Sequence, residues 1–319
     1  MAAIETFRLA KSYKVGFWRK HQRAALSPLT LAVEEGEVFG YLGPNGAGKT
    51  TTLKLLMGLI YPTSGAATIL GRPLDDPKMK AQIGFLPEQP YFYDHLTARE
   101  LLTYLASLSG VPAGDRGRRV ERVLDRVGIR EHAGLQLRKF SKGMLQRVGI
   151  AQAIVHDPKL IFLDEPMSGL DPIGRREVRD LIQLLKDEGK TIFFSTHILS
   201  DAETLCDRVA VLNHGQLRGI GVVADLVREV SGRIEVVWEG AAASAAIVEL
   251  GTETHSSGAI FRAVLPERLL ERAVDVIRQS GSRLISLTPV RATLEDFFLE
   301  RLQPEVDRGS RAASGEGAS

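Results

Sequence analysis

A glycine-rich segment that ends in a lysine and two threonines offers the clearest chemistry in this sequence. Residues 43–51 read Gly-Pro-Asn-Gly-Ala-Gly-Lys-Thr-Thr. The apolar run at residues 38–42 predicts a buried strand, and apolar residues at helical spacing follow the loop over residues 53–59. A strand, a glycine loop and a helix in this order predict a phosphate-binding loop.

Each residue type in this loop has a physical reason to bind phosphate. Gly43, Gly46 and Gly48 let the backbone curl until successive N–H groups point at one centre. The N-terminus of the following helix adds partial positive charge at the same place. Lys49 is predicted to reach the β- and γ-phosphates, and the hydroxyl of Thr50 to ligate Mg²⁺. The alternative, a glycine-rich turn with an ordinary surface lysine, is disfavoured by the flanking strand and helix.

Two adjacent carboxylates follow another apolar run. Residues 160–163 predict a buried strand, which ends in Asp164 and Glu165. A carboxylate at the carboxyl end of such a strand can hold Mg²⁺, directly or through water, and we assign this role to Asp164. The next carboxylate, Glu165, can activate an attacking water as a general base. The structural alternative is a helix N-cap, but the phosphate-binding loop upstream favours the catalytic interpretation.

The composition limits the partners and the compartment. The chain has 319 residues, 44% of them hydrophobic, and a net charge of +2, which favours neither nucleic acid nor an acidic partner. Its one cysteine, Cys206, excludes an internal disulfide and suits a reducing compartment. The N-terminal residues lack the pattern of a signal peptide, and no apolar run is long enough to cross a bilayer. We therefore expect a cytoplasmic protein, or one held on a membrane only through a partner.

Strands alternate with helices along most of the first 230 residues. This order predicts an α/β fold with a parallel sheet covered on both faces. Residues 6–13 and 29–33 predict the first two strands. The pattern from residue 97 to 156 is mostly helical and opens with a capping box of Thr97 and Glu100.

The composition shifts near Val230, and the pattern after it differs. We therefore predict one domain at residues 1–230, with a helical subdomain at about residues 90–157, and a small α+β domain at residues 231–302. The order of strands and helices in this second domain resembles a split βαβ, ferredoxin-like unit. Residues 303–319 are rich in Gly, Ser, Ala, Arg and Glu, which predicts a disordered tail.

The segment at residues 140–147 carries a resemblance to a known family. It reads Phe-Ser-Lys-Gly-Met-Leu-Gln-Arg and resembles the signature loop of the ATP-binding subunits of ABC transporters. The resemblance covers about residues 4–228. It implies that Ser141 and Gly143 cap the γ-phosphate of the ATP bound to the opposite subunit. The usual loop reads Leu-Ser-Gly-Gly-Gln, so the chain departs from it at Phe140, Lys142 and Met144.

Other segments match the same family residue by residue. Gln89 resembles the Q-loop glutamine that senses Mg²⁺, and His197 resembles the switch histidine that contacts the γ-phosphate. Residues 168–171, Ser-Gly-Leu-Asp, resemble the loop at the dimer interface. Tyr13 resembles the aromatic residue that stacks on adenine, with Phe17 and Trp18 as alternatives in the loop after it. The resemblance also assigns the remaining residues of the phosphate-binding loop, Pro44, Asn45, Ala47 and Thr51, to the nucleotide.

The resemblance implies a P-loop NTPase with an ABC-type helical subdomain and an antiparallel β subdomain. It implies ATP and Mg²⁺ as cofactors and ATP hydrolysis as the reaction. It also implies a homodimer, or a pair with a similar ATPase subunit, that sits on the inner face of the membrane through a permease. Residues 293–299, Thr-Leu-Glu-Asp-Phe-Phe-Leu, resemble the closing motif of subunits of ABC-2-type exporters. For the second domain we favour support of the dimer or contact with the permease over a ligand sensor.

Two functions from other classes remain as alternatives. The first is an ABC-type ATPase that acts on ribosomes or DNA, but such proteins carry two motif sets or a long coiled-coil insertion, which this chain lacks. The second is a nucleotide-gated binding module without catalysis, against which Lys49, Asp164 and Glu165 argue. Three consecutive aromatic residues, 91–93, are either core or an anchor for the membrane partner.

Overall fold

The described residues form two compact units along the chain. The structure, a computed structural model, describes residues 1–15, 21–250 and 254–302. The first unit runs from Met1 to Val223, and the second begins at Ala224. The tail predicted at residues 303–319 lies outside the described residues.

The first unit contains two sheets with helices around them. Its strands are β1 (Ala2–Val15), β2 (His21–Glu34), β3 (Val38–Leu42), β4 (Ser64–Ile69), β5 (Arg72–Pro73), β6 (Ile83–Leu86), β7 (Leu160–Asp164), β8 (Thr191–Thr196), β9 (Arg208–Asn213) and β10 (Gln216–Val222). Its helices are α1 (Lys49–Leu56), α2 (Pro77–Lys80), α3 (Ala98–Leu108), α4 (Ala113–Arg126), α5 (Lys142–Ile154), α6 (Pro172–Asp187) and α7 (Leu199–Leu205), and α8 (Val223–Glu229) begins at its last residue.

A six-stranded sheet forms the centre of the first unit. Its strand order is β10-β9-β3-β8-β7-β6, and all neighbours are parallel except the antiparallel pair β9 and β10. Every residue of β3, β7 and β8 is buried, which explains why these strands read as continuous apolar runs. The predicted parallel sheet is therefore confirmed in its central strands.

Aromatic side chains fill the layer that supports the phosphate-binding loop. The rings of Phe39 and Tyr41 on β3 lie 5.5 and 5.2 Å from the ring of Phe193 on β8, centroid to centroid. The hydroxyl oxygen of Tyr41 is 3.1 Å from the hydroxyl oxygen of Thr52, so this buried pair joins β3 to α1. The strand before the loop and the helix after it are thus fixed to each other.

The second sheet of this unit is antiparallel, with the order β2-β1-β4-β5. Its first two strands are 14 residues each, longer than the segments predicted at residues 6–13 and 29–33. Their pairing shifts register at several places, and Arg8 has φ of 47° at one of them. Because each shift moves following side chains to the other face, simple alternation breaks down along these strands.

Helix α5 lies close against the edge strand β6. A Cβ atom built on Gly149 of α5 would lie 2.5 Å from Cδ1 of Leu86, and one built on Gly84 of β6 would lie 2.1 Å from the carbonyl oxygen of Ala153. Glycine at both positions is what lets the helix and strand backbones approach this closely. Helix α3 opens with the predicted capping box of Thr97 and Glu100.

The second unit is a four-stranded antiparallel sheet with helices. Its strands are β11 (Arg233–Glu239), β12 (Thr254–Ser257), β13 (Ile260–Pro266) and β14 (Arg283–Pro289). Its later helices are α9 (Ser244–Glu249), α10 (Leu270–Gln279) and α11 (Leu294–Leu302). The strand order is β12-β13-β11-β14, and the buried residues Trp238, Ile247 and Ile277 join sheet and helices in one core.

Candidate functional site

The glycine loop lies between β3 and α1 and leaves the start of the helix open. Gly46 and Gly48 have φ of 81° and 104°, which favour glycine over any residue with a side chain. A Cβ atom on Gly48 would lie 2.5 Å from the carbonyl oxygen of Ala25. Gly48 is the N-cap of α1, and because glycine has no side chain, the first N–H groups of the helix have no side-chain cap. Those groups are therefore available to an anion, as the sequence predicts.

This loop forms one wall of a cavity of about 690 Å³. The predicted site residues that line it are Tyr13, Pro44, Asn45, Gly46, Gly48, Lys49, Thr50, Thr51 and Glu165. Arg23 and His214 line the cavity as well, so it carries cationic and titratable groups that we did not predict. Gly43 and Ala47 do not line the cavity. The Ala47 N–H donates to the carbonyl of Pro44 at 3.1 Å, and the Gly43 N–H donates to the carbonyl of Thr196 at 3.4 Å.

The ammonium group of Lys49 is held at the base of the cavity. It is only 6% exposed and donates to the carbonyl oxygen of Gly43 at 2.7 Å. It also lies 3.1 Å from Oε1 of Glu165, an oxygen that accepts no hydrogen bond from any described residue. The contact is therefore an ion pair that leaves Oε1 without an aligned donor. A lysine in this position places a fixed positive charge beside the loop amides.

Thr50 and Asp164 bring two oxygen ligands together. The Thr50 hydroxyl donates to Oδ2 of Asp164 at 3.0 Å, and the Ser195 hydroxyl donates to its Oδ1. Asp164 is 3% exposed, so its carboxylate is a buried charge stabilised by these two hydroxyls. Mg²⁺ prefers hard oxygen ligands and binds through one or two protein groups plus phosphate, so these residues fit the ion.

Glu165 has a strained backbone and pairs with His197. Its φ is 50°, an unfavourable value for a residue with a side chain. Its N–H donates to the carbonyl oxygen of Ser195 at 3.0 Å, and its Oε2 lies 2.8 Å from Nδ1 of His197. The side chain of Glu165 is 7% exposed and that of His197 is 42% exposed. The carboxylate therefore has a fixed orientation between the buried lysine and a histidine that reaches solvent.

The register of the central sheet explains why these residues meet. β3 lies beside β8, which lies beside β7, and all three run in the same direction. Leu42 is paired with Thr196, and Asp164 with Ser195, so the three carboxyl ends are level. The loop, the carboxylates and the histidine each follow one of these strands. Ligands in open α/β sheets bind outside such carboxyl ends.

Of two further residues predicted to contact the nucleotide, Tyr13 lines the cavity and Gln89 does not. Tyr13 lines the cavity and is 42% exposed, with Nζ of Lys11 lying 5.2 Å from its ring centroid. Phe17 and Trp18, the alternatives, lie outside the described residues. Gln89 is exposed and does not line the cavity, whereas its neighbour Glu88 does.

Ser141 and Gly143 line a different cavity, of about 340 Å³. Ser141 caps α5 by accepting from the N–H of Met144 at 3.2 Å. Gly169 and Asp171, from the segment predicted to lie at a dimer interface, line the same cavity. The signature loop and this segment therefore share one surface, which contains none of the phosphate-binding loop residues.

The sequence reasoning also missed Ser195 and Asp201, two side chains near this site. Ser195 contacts both carboxylate residues, but only the register of β7 and β8 reveals it. Asp201 on α7 is 3% exposed, and its Oδ1 is 3.9 Å from a guanidinium nitrogen of Arg179. Burial raises the pKa of Asp201, and the charge of Arg175 opposes that rise. The available signal for Asp201 was its place in the first turn of α7, where a negative charge is favoured by the helix dipole.

Comparisons with known proteins agree with this geometry. The family model described as ABC transporter matches residues 26–168. An ABC transporter ATP-binding protein of Synechocystis sp. is 44% identical over 310 residues, which cover 94% of this chain and 84% of the relative. The chain belongs to the ABC transporter ATP-binding proteins. A fluoroquinolones export ATP-binding protein of Mycobacterium tuberculosis is also similar, at 36% identity over 88% of both chains.

A solved structure extends the comparison to the nucleotide. A dimeric ATP-binding cassette in a post-hydrolysis state, bound to ADP and Pi, has a TM-score of 0.62 and 27% sequence identity. The match covers 69% of this chain and 98% of that one. As an ATP-binding protein of this family, the chain is an ATPase with a P-loop fold. Within the described residues, no helix combines the length and apolar character needed to span a bilayer.

Proposed function

We propose that this ABC transporter ATP-binding protein powers the export of a substrate through a separate membrane permease. It would act as a head-to-tail dimer that encloses two ATP molecules. The division of the predicted site residues between two cavities is the observation that carries this proposal. A second copy, turned head to tail, would bring its Ser141 and Gly143 to the open side of the first cavity. The name of the mycobacterial relative supports the direction of transport.

In the proposed complex, each group of the first cavity has a separate role. The loop amides and Lys49 bind the β- and γ-phosphates, and Tyr13 stacks on adenine. Thr50 and Asp164, which are hydrogen-bonded to each other, would hold Mg²⁺, and Gln89, which lies outside this cavity in the single chain, would join them only if the loop after β6 moved toward it. When bound, this ion neutralises charge on the phosphate oxygens.

Hydrolysis in the proposed site begins with a proton transfer to Glu165. The carboxylate takes a proton from a water, whose oxygen attacks the γ-phosphorus as the bond to the leaving β–γ bridging oxygen breaks. Lys49 stabilises the charge that moves toward the leaving phosphate. The 2.8 Å contact with Nδ1 of His197 keeps the carboxylate in one orientation, while the part of the imidazole that reaches solvent would contact the γ-phosphate.

The second unit and the membrane location complete the proposal. Its strand order, β12-β13-β11-β14 with helices after the first and third strands in sequence, supports a ferredoxin-like domain at residues 231–302. We assign the chain to the ABC-2-type exporter group through its closing segment at residues 293–299. The permease would hold the ATPase at the inner face of the cell membrane, in the cytoplasm.

Purification from membranes tests this function directly. A tagged full-length chain is expected to co-purify in detergent with a multi-spanning protein, and cells that contain both are expected to export a substrate only while ATP is hydrolysed. A membrane protein encoded by a neighbouring gene would be the first candidate. Mass spectrometry identifies the bound protein, and an efflux assay with the Glu165→Gln variant provides the inactive control. Recovery with ribosomes or nucleic acid and without a membrane protein would contradict the proposal.

Tyr91 offers a test of where the permease docks. Its side chain is 92% exposed in a turn after β6, whereas Phe92 is half-buried near Gly149 of α5. An exposed aromatic residue in this place is a suitable interface anchor. We expect Tyr91→Ala to weaken permease binding by about 2 kcal/mol, roughly thirtyfold, as for an interface hot spot. Co-purification should fall while the unfolding midpoint and basal ATPase stay unchanged.

The matched control for this prediction is Tyr61→Ala. Tyr61 is 80% exposed and lies after the C-terminus of α1, whereas the cavity lies at the N-terminus of that helix. Its removal should leave co-purification unchanged. The double variant Tyr91→Ala and Phe92→Ala is expected to unfold at a lower temperature, because Phe92 packs on α5. Normal co-purification of Tyr91→Ala would place the docking surface elsewhere.

A further inference from the structure

A buried glutamine on the signature helix α5 contacts the turn that carries Glu165. Gln146 is 5% exposed, and its side-chain N–H donates to the carbonyl oxygen of Pro166 at 2.8 Å. Pro166 follows Glu165 directly in the chain. Gln146 does not line either cavity that we assign to ATP or to the dimer contact. We therefore expect Gln146 to act through its hydrogen bond to Pro166 and not through contact with a ligand.

The turn after β7 needs such support. Glu165 has a φ of 50°, and a residue with a side chain keeps this conformation only when its surroundings fix it. Two backbone bonds contribute: the Glu165 N–H donates to Ser195, and its carbonyl accepts from the N–H of Ser168 at 3.1 Å. The bond from Gln146 is the side-chain contact that reaches this turn from α5. It holds the peptide between Pro166 and Met167, one peptide beyond the strained residue.

The helix that carries Gln146 is itself fixed. Its close approach to β6 at Gly149 and Gly84 leaves no room for a shift toward the sheet. The same helix begins at Ser141, whose side chain caps it. Lys142 also reaches this region, since a Cβ atom on Gly169 would collide with its Nζ. One rigid helix thus connects Ser141 to the turn that carries Glu165.

We propose that Gln146 is a positioning residue for ATP hydrolysis: its hydrogen bond to Pro166 holds Glu165 in the strained, productive orientation and joins it to the signature helix. The inference rests on the proposed role of Glu165 as the general base. In the proposed dimer, Ser141 of the same helix contacts the ATP of the other site.

The test replaces the glutamine with a residue of similar shape that lacks the N–H donor. We expect Gln146→Met to lower kcat for Mg-ATP about tenfold, less than the roughly hundredfold loss that a 1 Å misplacement can cause. KM should stay within about twofold, because Gln146 does not line the ATP cavity. Gln183→Met is the matched control, since Gln183 is exposed on α6 and bonds only locally to Asp187. Gln146→Asn, which is one methylene too short to reach Pro166, should behave as Gln146→Met does.

A double-mutant cycle separates positioning from a general structural role. In the Glu165→Gln background the base is absent, so Gln146→Met should not slow the residual turnover further. Equal fold losses in both backgrounds, or an unchanged kcat in the single variant, would overturn the inference. Wild-type turnover in Glu165→Gln alone would instead overturn the proposed role of Glu165, and that of Gln146 with it. The Asn variant answers the same questions if the Met variant fails to fold.

Discussion

Lys49→Ala is expected to lower the ATP turnover of the purified, partner-bound protein by about 10²- to 10³-fold, the loss that follows when one fixed electrostatic donor leaves an active site. The reason is that the ammonium group is 6% exposed and held at the base of the cavity by the carbonyl of Gly43. A phosphate that enters the cavity therefore meets a positive charge already in position. Titration with a fluorescent ATP analogue and a phosphate-release assay measure binding and turnover separately.

Lys54→Ala is the matched control for this prediction. Lys54 is exposed in the last turn of the same helix, outside the cavity, so its removal changes net charge equally without touching the site. Lys49→Ala also leaves the buried carboxylate of Glu165 without its ion-pair partner, which is expected to lower the unfolding midpoint. The loss of ATP binding can be distinguished from the loss of stability, because ATP binding can be measured at temperatures below the unfolding midpoint of the variant. Normal turnover in the folded Lys49→Ala variant would overturn the assignment of the phosphate-binding loop.

The sequence could predict two kinds of residue in this site: those that are contiguous in the chain, and those that directly follow a buried parallel strand. The glycine loop places Gly43 to Thr51 within one turn, so its chemistry is visible without any tertiary information. Asp164, Glu165 and His197 follow strands that read as continuous apolar runs. Because parallel strands of one sheet end at the same edge, their convergence could be expected as well.

The contacts that the sequence could not predict depend on register and packing. Ser195 meets Asp164 only because β7 and β8 pair these two residues. Gln146 and Pro166 are 20 residues apart on a helix and a turn, and nothing local in either segment indicates the contact. Similarly, the place of Glu88 rather than Gln89 at the cavity depends on the path of an irregular loop after β6.

Local signals and tertiary pairing also explain where the predicted and observed secondary structure agree or differ. β10 alternates exposed and half-buried residues, but its glycines at positions 219 and 221 weaken the strand pattern, and we did not predict it. Its antiparallel pairing with β9 supplies the stability that its own sequence lacks. The helix α11 begins at Leu294 because Thr293 and Asp296 form reciprocal side-chain bonds at its start, a signal that is local.

The two cavities also suggest why a single chain is not sufficient for the proposed cycle. The first cavity is lined by the base and the lysine, and the histidine contacts the base at 2.8 Å, so one chain can bind nucleotide and orient a water. It does not contain Ser141 or Gly143, which would enclose the γ-phosphate from the opposite side. Exclusion of water strengthens every charge interaction in such a site. Dimer closure would therefore be the step that makes hydrolysis fast. The charge of Glu165 would then matter in two steps, first because it opposes closure around the bound phosphates and then because it accepts the proton of the attacking water.

Glu165→Gln is expected to bind ATP normally and to lower kcat by about 10²- to 10³-fold, within the range that a general base contributes. The amide keeps the shape of the carboxylate and can still contact Nδ1 of His197, but it does not accept a proton at neutral pH. The substitution also removes one negative charge from beside the bound phosphates. ATP-bound dimers should therefore accumulate, and size-exclusion chromatography with Mg-ATP measures them.

Glu131→Gln provides the control for both effects. Glu131 is exposed on the surface and lines neither cavity, so the same change in charge should leave turnover and oligomeric state as in the unmodified protein. A dimer that forms with Mg-ATP in Glu165→Gln but dissociates when Lys49→Ala is added would connect dimer closure to phosphate binding. A Glu165→Gln variant that remains monomeric and hydrolyses ATP at the normal rate would contradict both the catalytic role of Glu165 and its part in dimer closure.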